Sequence, residues 1–488
     1  MCVDFGAKLS QRELKSLESF LANVQRDHDS PGLAVAITKG DELIYASGFG
    51  YRDLGEKAYI DENTIMGIAS ITKTFTAAAI LKLQEQGKLS LDDSVQTFLP
   101  QLQFGRKKDL RDTTILNMLT HTTGLPPLKA LIYSIRENSE HEDELVQKLG
   151  DKTENNNEEE QVQLNSYQDL IDYVSREGID LLGSPGEYTS YSNDCYALLG
   201  KIIEEVSGKS YQDYISENFL KPLNMNRSTF SLDEVLHSDN VTSLYYYDEN
   251  TEEVKKAQGW QEAPPYQAGG WLRSTARDLV KFFQMLALGG RQGLKPDNRI
   301  LTKSSIQKLL HPVTYSPWDL VSTYNLGSWI QSNYYGRTLI QHGGSLTGVS
   351  SHAGFIPEEE LAVVVLSNLR GFPVYKAWHG IVNILLGLHV DTSKVSYYQR
   401  NWPSELLVSR SGVFKSGEGM ELELFVQQNT LQCRMIREDK VYQIKPVTRY
   451  VGTINVKGDE KEIWFYHNRK DSKPWAIGFG GRMIKRVE

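Results

Sequence analysis

Long apolar runs are missing from this chain. No window reaches about 18 consecutive apolar residues, the length a spanning helix needs, so no membrane helix is expected. Cysteine is scarce: Cys2, Cys195 and Cys433 lie far apart, with no CxxC pair and no zinc-type spacing. That argues against a disulfide framework and against a metal site, and it fits a reducing compartment. Cys195, set among apolar residues, reads as buried filler rather than as a nucleophile. A basic stripe is also absent. The net charge of -9 speaks against a general nucleic-acid binder, because phosphate contacts need clustered Lys and Arg. The N-terminal stretch MCVDFGAKLSQRELKSLESF has no basic segment followed by an apolar one, and Cys2 lacks the preceding apolar run of a lipoprotein signal. A cytoplasmic protein is therefore expected.

What is present is an ordinary globular composition, 40% hydrophobic and 24% charged over 488 residues, which excludes a fibrous or wholly disordered chain. At roughly 100–200 residues per domain, more than one folded unit is expected. Helical periodicity runs through Leu14, Leu17, Phe20, Leu21 and Val24. Two strands follow, from Gly32 and from Glu42, joined by Lys39-Gly-Asp as a hairpin. A helix from about Ser70 to Gly87 is apolar on nearly every face, the mark of a buried helix. A second helical pattern runs from Asn193 to Leu220. Gly269-Gly-Trp-Leu-Arg-Ser-Thr reads as a loop capped into a further helix by Ser274 or Thr275, with Asp278 in its first turn.

Strand-like runs return at Leu339–His342, His352–Ile356 and Leu361–Asn368, the last apolar enough to be central, before a helix near Tyr375–Leu388. The early hairpin and these late strands imply one sheet built from both ends of a domain spanning 1–390. Helices pack on it and a helical subdomain lies between, an α+β layout. A polar, Glu- and Asn-rich stretch at about 137–165 reads as a solvated insertion. Beyond residue 390 short alternating segments at hairpin spacing, with turns such as Lys457-Gly-Asp, predict a small antiparallel barrel or sandwich over 391–488.

Three motifs carry chemistry. In Ser70-Ile-Thr-Lys73 the i, i+3 spacing puts hydroxyl and amine on one helix face. The serine needs a base, and burial lowers a lysine pKa enough to provide one. An unpaired charged lysine in an apolar helix is costly, so Lys73 needs partners or a task. In Tyr191-Ser-Asn193 the phenol is a candidate general base, while Asn193 can donate to a substrate amide oxygen and accept from Lys73. Ser-Asn before a helix is equally ordinary N-cap chemistry. In His342-Gly343-Gly344-Ser345 the glycines allow substrate backbone to lie close. The Ser345 N–H pairs with that of Ser70 as a candidate oxyanion hole. His342 offers a hydrogen bond or a positive charge near the base.

The order SxxK, YxN, HxG, with Leu119-Thr-His-Thr-Thr-Gly-Leu-Pro126, Pro185-Gly-Glu-Tyr-Thr-Ser-Tyr-Ser-Asn193 and Ala268-Gly-Gly-Trp-Leu-Arg-Ser-Thr-Ala276, resembles the β-lactamase/penicillin-recognising serine hydrolases over roughly residues 10–390. The similarity is to the class C-like branch, which holds D-aminopeptidases, D-stereospecific endopeptidases, family VIII esterases and class C β-lactamases. The resemblance implies a β-lactamase/transpeptidase-like antiparallel sheet flanked by helices, with a lipocalin-like β module appended. Such modules restrict cleft access, build homo-oligomers or serve only structure. It also implies an acyl-enzyme on Ser70, a base role shared by Lys73 and Tyr191, and substrate binding by Asn193, His342, Gly343, Gly344 and Ser345. Water would deacylate the enzyme without metal or cofactor. The His121 segment is structural by the same likeness.

The third motif departs from the Lys-Thr-Gly of β-lactamases in this branch. Lysine and the threonine hydroxyl, which help bind a substrate carboxylate, are both missing. That speaks against an efficient β-lactamase and a strict carboxypeptidase. A peptidase or amidase acting on small or D-residue-containing peptides leads. A carboxylesterase, a slow β-lactamase and a penicillin-binding sensor with little turnover are the alternatives.

Overall fold

The computed structural model describes residues 9–137, 162–249, 251–293, 298–312, 319–393, 395, 397, 400–456, 459–468 and 473–487. Most of the predicted insertion at 137–165, residue Cys2 and the start of the Lys457-Gly-Asp turn lie outside them.

Two large antiparallel sheets organise the chain, and their strands are numbered here. The first contains β1 (Gly32–Lys39), β2 (Glu42–Asp53), β3 (Ala58–Tyr59), β4 (Thr323–Tyr324), β5 (Trp329–Tyr334), β6 (Arg337–Leu346), β7 (Val349–Ile356) and β8 (Leu361–Ser367), in the order β4-β5-β6-β7-β8-β1-β2-β3. Strand β8 pairs with β1 from Leu33↔Ser367 to Lys39↔Leu361, which joins the two ends of the unit. Every residue of β8 is buried, as is β1 apart from Lys39. Continuous apolar runs are what a strand covered on both faces requires. The β1–β2 hairpin turns at Gly40–Asp41, with Gly40 in the left-handed region that a tight turn demands (φ +57°).

Five helices fix the layers: α1 (Gln11–Asp27), α2 (Thr72–Glu85), α3 (Asn193–Ser207), α4 (Ala276–Ala287) and α5 (Val374–Leu385). Helix α4 packs on β8, β1 and β7. The opposite face is covered by α5 with α1 against it, where Trp378 is fully buried and its Nε1 donates to the Val363 carbonyl at 3.0 Å. Helix α2 lies among α3, α4 and the helical region. Its Phe75 ring stacks on Phe282 of α4 with centroids 3.7 Å apart. As expected from its apolar faces, α2 is buried nearly throughout.

Some boundaries differ from expectation. The helix predicted over Asn193–Leu220 ends at Ser207, because Gly208 adopts a left-handed C-cap (φ 72°). A new start follows, capped by Ser210. Of the two candidate caps for α4, Thr275 serves, accepting from the Asp278 N–H.

The second sheet comprises β9 (Gly412–Lys415), β10 (Glu421–Gln427), β11 (Thr430–Met435), β12 (Lys440–Gln443), β13 (Lys445–Pro446), β14 (Val451–Val456), β15 (Asp459–Tyr466), β16 (Ala476–Phe479) and β17 (Arg482–Arg486). Their order is β12-β11-β10-β9-β17-β16-β15-β14-β13. It rolls into a nearly closed barrel around Phe414, Leu424, Cys433, Ile454, Ile463 and Ile477. A short helix, Ser404–Arg410, precedes it within the stretch read as all-β. The barrel docks through Leu182, Ala476 and Met483. It also docks through Gly417, where an added Cβ would lie 2.1 Å from the Pro127 carbonyl oxygen.

Phe75→Ala removes a ring from the junction of α2 and α4 and should cost about 3–5 kcal/mol. The expected outcome is a clear fall in Tm, with Val408→Ser, at an exposed position, leaving Tm unchanged.

Candidate active site

Ser70 sits in a 3-10 turn, Ala69–Ile71, that runs into α2. The turn is held from three sides. The Thr72 hydroxyl donates to the Ala69 carbonyl at 2.7 Å, the Ile68 N–H donates to the Leu272 carbonyl at 3.2 Å, and the Ser351 hydroxyl donates to the Ile68 carbonyl at 2.7 Å. Ala69 adopts φ 47°, a strained conformation for a residue with a Cβ. Strand β6 passes so close that a Cβ on Gly344 would lie 2.5 Å from both the Ile68 oxygen and Ser351 Oγ. Glycine at 344 is therefore required by the turn that carries the serine. This adds a packing requirement to the room for substrate backbone expected from the sequence.

Lys73 is fully buried one turn along. Its Nζ lies 2.5 Å from the Gly269 carbonyl oxygen, 2.9 Å from Asn193 Oδ1 and 3.1 Å from Ser70 Oγ. Burial first, and then the charge of Arg482, hold this amine well below its ordinary range, against the opposing pull of Asp194 and Glu418. As an ammonium, Nζ donates to all three neighbours, Ser70 Oγ included. Deprotonated, it keeps two N–H bonds for the oxygens of Gly269 and Asn193, which only accept, and its lone pair then faces the Ser70 hydroxyl, the arrangement a base needs.

Asn193 is the first residue of α3, and the residue before it, Ser192, caps that helix by accepting from the Cys195 N–H at 3.2 Å. Capping and placement of Asn193 toward Lys73 are thus achieved by adjacent residues. Tyr191 hydrogen-bonds Ser70 through its hydroxyl, and its ring lies 4.9 Å from Lys73 Nζ. Burial holds the phenol above its ordinary range, and the bond to Ser70 and the nearby Arg482 draw it only part of the way back.

His342 is buried and neutral. Its Nδ1–H donates to the Gly343 carbonyl at 2.6 Å, its Nε2 accepts from the Tyr324 hydroxyl at 3.0 Å, and its ring stacks on Trp329 at 4.6 Å. Burial and the Lys73 charge press it down to about 3. The positive charge offered for His342 from sequence is therefore corrected: the cation beside the base is Arg482. His121 is neutral by the same burial; its Nδ1 accepts from the Ser192 N–H at 3.1 Å and its ring lies 4.3 Å from that of Tyr191. Gly343 lies against His352, and Ser345 is exposed at the mouth of the cleft.

Ser70, Tyr191, Asn193, His342, Gly343, Gly344 and Ser345 all line one cleft of about 1280 Å³. A beta-lactamase family model matches residues 17–385. The chain belongs to the beta-lactamase family. Penicillin-binding protein 4* of Bacillus subtilis (strain 168) is 25% identical over 371 residues, 74% of this chain and 73% of that protein. An octameric penicillin-binding protein homologue from Pyrococcus abyssi superposes with a TM-score of 0.66 at 27% identity, over 97% of this chain and 100% of its own. That likeness takes in the C-terminal barrel. A D-amino acid amidase from Ochrobactrum anthropi SV3 shares the fold, with a TM-score of 0.60 at 20% identity over 77% of this chain and 99% of its own.

Within this beta-lactamase family site, three contributors escaped the sequence reading. The Gly269 carbonyl belongs to a segment quoted for its likeness, but a backbone oxygen leaves no mark in side-chain patterns. Arg482 and Glu418 come from the barrel, where Arg482 Nε donates to Glu418 Oε2 at 2.9 Å. Among the described residues no cluster of metal-ligating side chains occurs, and no helix is long and apolar enough to cross a membrane.

The depressed His342 has a consequence for stability. Between about pH 6.5 and about pH 3 the unfolded chain takes up a proton that the folded imidazole refuses, so its contribution is present above about pH 6.5 and lost as pH falls. The difference in urea midpoint between wild type and His342→Gln should narrow from about pH 7 to about pH 4. A constant difference would contradict a neutral His342.

Proposed function

We propose that the protein is a serine hydrolase that forms an acyl-enzyme on Ser70 and acts on small or D-residue-containing peptides as a peptidase or amidase. The observation that carries this reading is the Lys73 amine, buried, with two acceptor oxygens occupying its N–H bonds and Ser70 Oγ at 3.1 Å.

In the reaction, Oγ bonds to the substrate carbonyl carbon while the hydroxyl proton passes to Lys73 Nζ. The carbonyl oxygen takes the negative charge and is met by the N–H groups of Ser70 and Ser345. Lys73 then returns the proton through the Tyr191 hydroxyl to the leaving nitrogen as the C–N bond breaks. Water repeats the sequence, with the same base taking its proton, and the acid is released. Asn193 orients the substrate amide, and neutral His342 with Tyr324 holds the β6 edge on which the acyl group lies.

What the third motif lacks supports this substrate class. His342-Gly343-Gly344 supplies neither a cation nor a hydroxyl for a β-lactam carboxylate, and His342 is held neutral. The presence of Lys73, Tyr191 and Asn193 together counts against a sensor trapped as its acyl adduct.

The test is hydrolysis of D- and L-aminoacyl p-nitroanilides, short-chain p-nitrophenyl esters and nitrocefin by wild type, Ser70→Ala and Lys73→Met. Ser70→Ala should be inactive on all of them, and Lys73→Met should lose about 10²–10⁴-fold in rate. D-aminoacyl anilides should be preferred and nitrocefin turned over slowly. Activity of Ser70→Ala equal to wild type sinks the mechanism, whereas rapid nitrocefin turnover sinks the substrate assignment alone.

A further inference from the structure

We propose that Arg482, carried by the C-terminal barrel, is a positioning residue for the base: its guanidinium, 4.7 Å from the Tyr191 ring centre and tied to Glu418, supplies from a second folding unit the positive charge that the third motif lacks. The inference rests on the reading of Ser70 as the acylated nucleophile.

The barrel reaches the site through the β16–β17 hairpin. Its turn, Gly480-Gly481, needs two left-handed residues (φ 56° and 76°), which glycine adopts without strain. The contact that follows is backbone-registered. The Tyr191 N–H donates to the Gly481 carbonyl at 2.8 Å, and the Met483 N–H donates to Ser190 Oγ at 3.2 Å. Arg482 is thus pinned on both sides to the two residues that include the candidate base. Its side chain is 22% exposed, as is fitting for a group that lines the cleft beside Ser70.

The other titratable groups around the base are quiet or distinct in sign. His121 and His342 are held neutral by burial, and Tyr324, 6.0 Å from Tyr191, is a neutral phenol pushed up by burial. Asp194, raised by burial to about 6, accepts from the Tyr266 hydroxyl at 2.5 Å and acts on Lys73 as a negative charge once ionised. The charges acting on both Lys73 and Tyr191 are Arg482 and Glu418, with opposite effects. Arg482 favours the unprotonated form of each, and Glu418 the protonated form.

The opposed signs make the test. The rate at which a fluorophosphonate labels Ser70 reports base function without needing a known substrate. Oγ bonds to phosphorus, fluoride leaves, and the hydroxyl proton goes to the base. That rate, followed across pH, rises on an acid limb as the base loses its proton. Arg482→Gln should move the limb up by about one pH unit, on the scale of a neighbouring unit charge. Glu418→Gln should move it down, and Arg482→Lys should leave it near wild type. A structural role for the pair would slow labelling without moving the limb in opposite directions. If the limbs of Arg482→Gln and Glu418→Gln coincide with wild type, or move the same way, the inference is overturned while the nucleophile stands. Labelling of Ser70→Ala equal to wild type would overturn the nucleophile itself.

Discussion

The burial of one amine governs this structure. Lys73 lies in an apolar helix where a lone ammonium would be expensive, and the surroundings answer that cost with two carbonyl-type oxygens and one hydroxyl. Each partner arrives on a different segment: Ser70 on the strained turn before α2, Asn193 at the start of α3, and Gly269 on the short helix ahead of α4. The packing of Phe75 on Phe282 brings α2 and α4 together, and so helps set the distance between amine and carbonyl.

Beta-lactamase family membership and the cleft geometry fit one another at the level of local chemistry. The end of strand β6, from His342 on, runs beyond its pairing with β5 and is edge, wall and clamp at once. Its Gly344 admits the Ile68 carbonyl, its His342 stacks on Trp329, and its neighbour β7 supplies the Ser351 hydroxyl that secures the nucleophile turn. A side chain at 344 would displace the serine before it touched any substrate. Gly344 of the third motif is therefore a structural requirement of the first.

Much of this was legible in the sequence, for identifiable reasons. Strand β8 is uniformly apolar because both its faces are covered, and the buried character of α2 followed from its Ala-rich run. Ser70, Lys73, Tyr191 and Asn193 stood out because the chemistry proposed for them needs side chains at short, fixed spacing, and the fold brings the four together. What stayed hidden depends on other kinds of information. The break at Gly208 is a choice of backbone conformation that a helical hydrophobic pattern passes over. The Gly269 oxygen is main chain. The neutrality of His342 comes from burial in three dimensions, since the imidazole reads identically whether solvated or stacked on Trp329. Arg482 belongs to the second sheet, and no local pattern ties Gly480-Gly-Arg to a tyrosine so distant along the chain.

The seat of the barrel hairpin against Ser190 and Tyr191 also bears on how the molecule is made. Synthesis delivers the nucleophile early and Arg482 late, so a growing chain can fold the main sheet and the Ser70 turn while its cleft still has no roof and its base no cation. The finished site exists only after the barrel has closed and docked. A chain stopped before the barrel would hold Ser70 and Lys73 side by side, yet the Tyr191 N–H would be without the Gly481 carbonyl that anchors it in the finished fold.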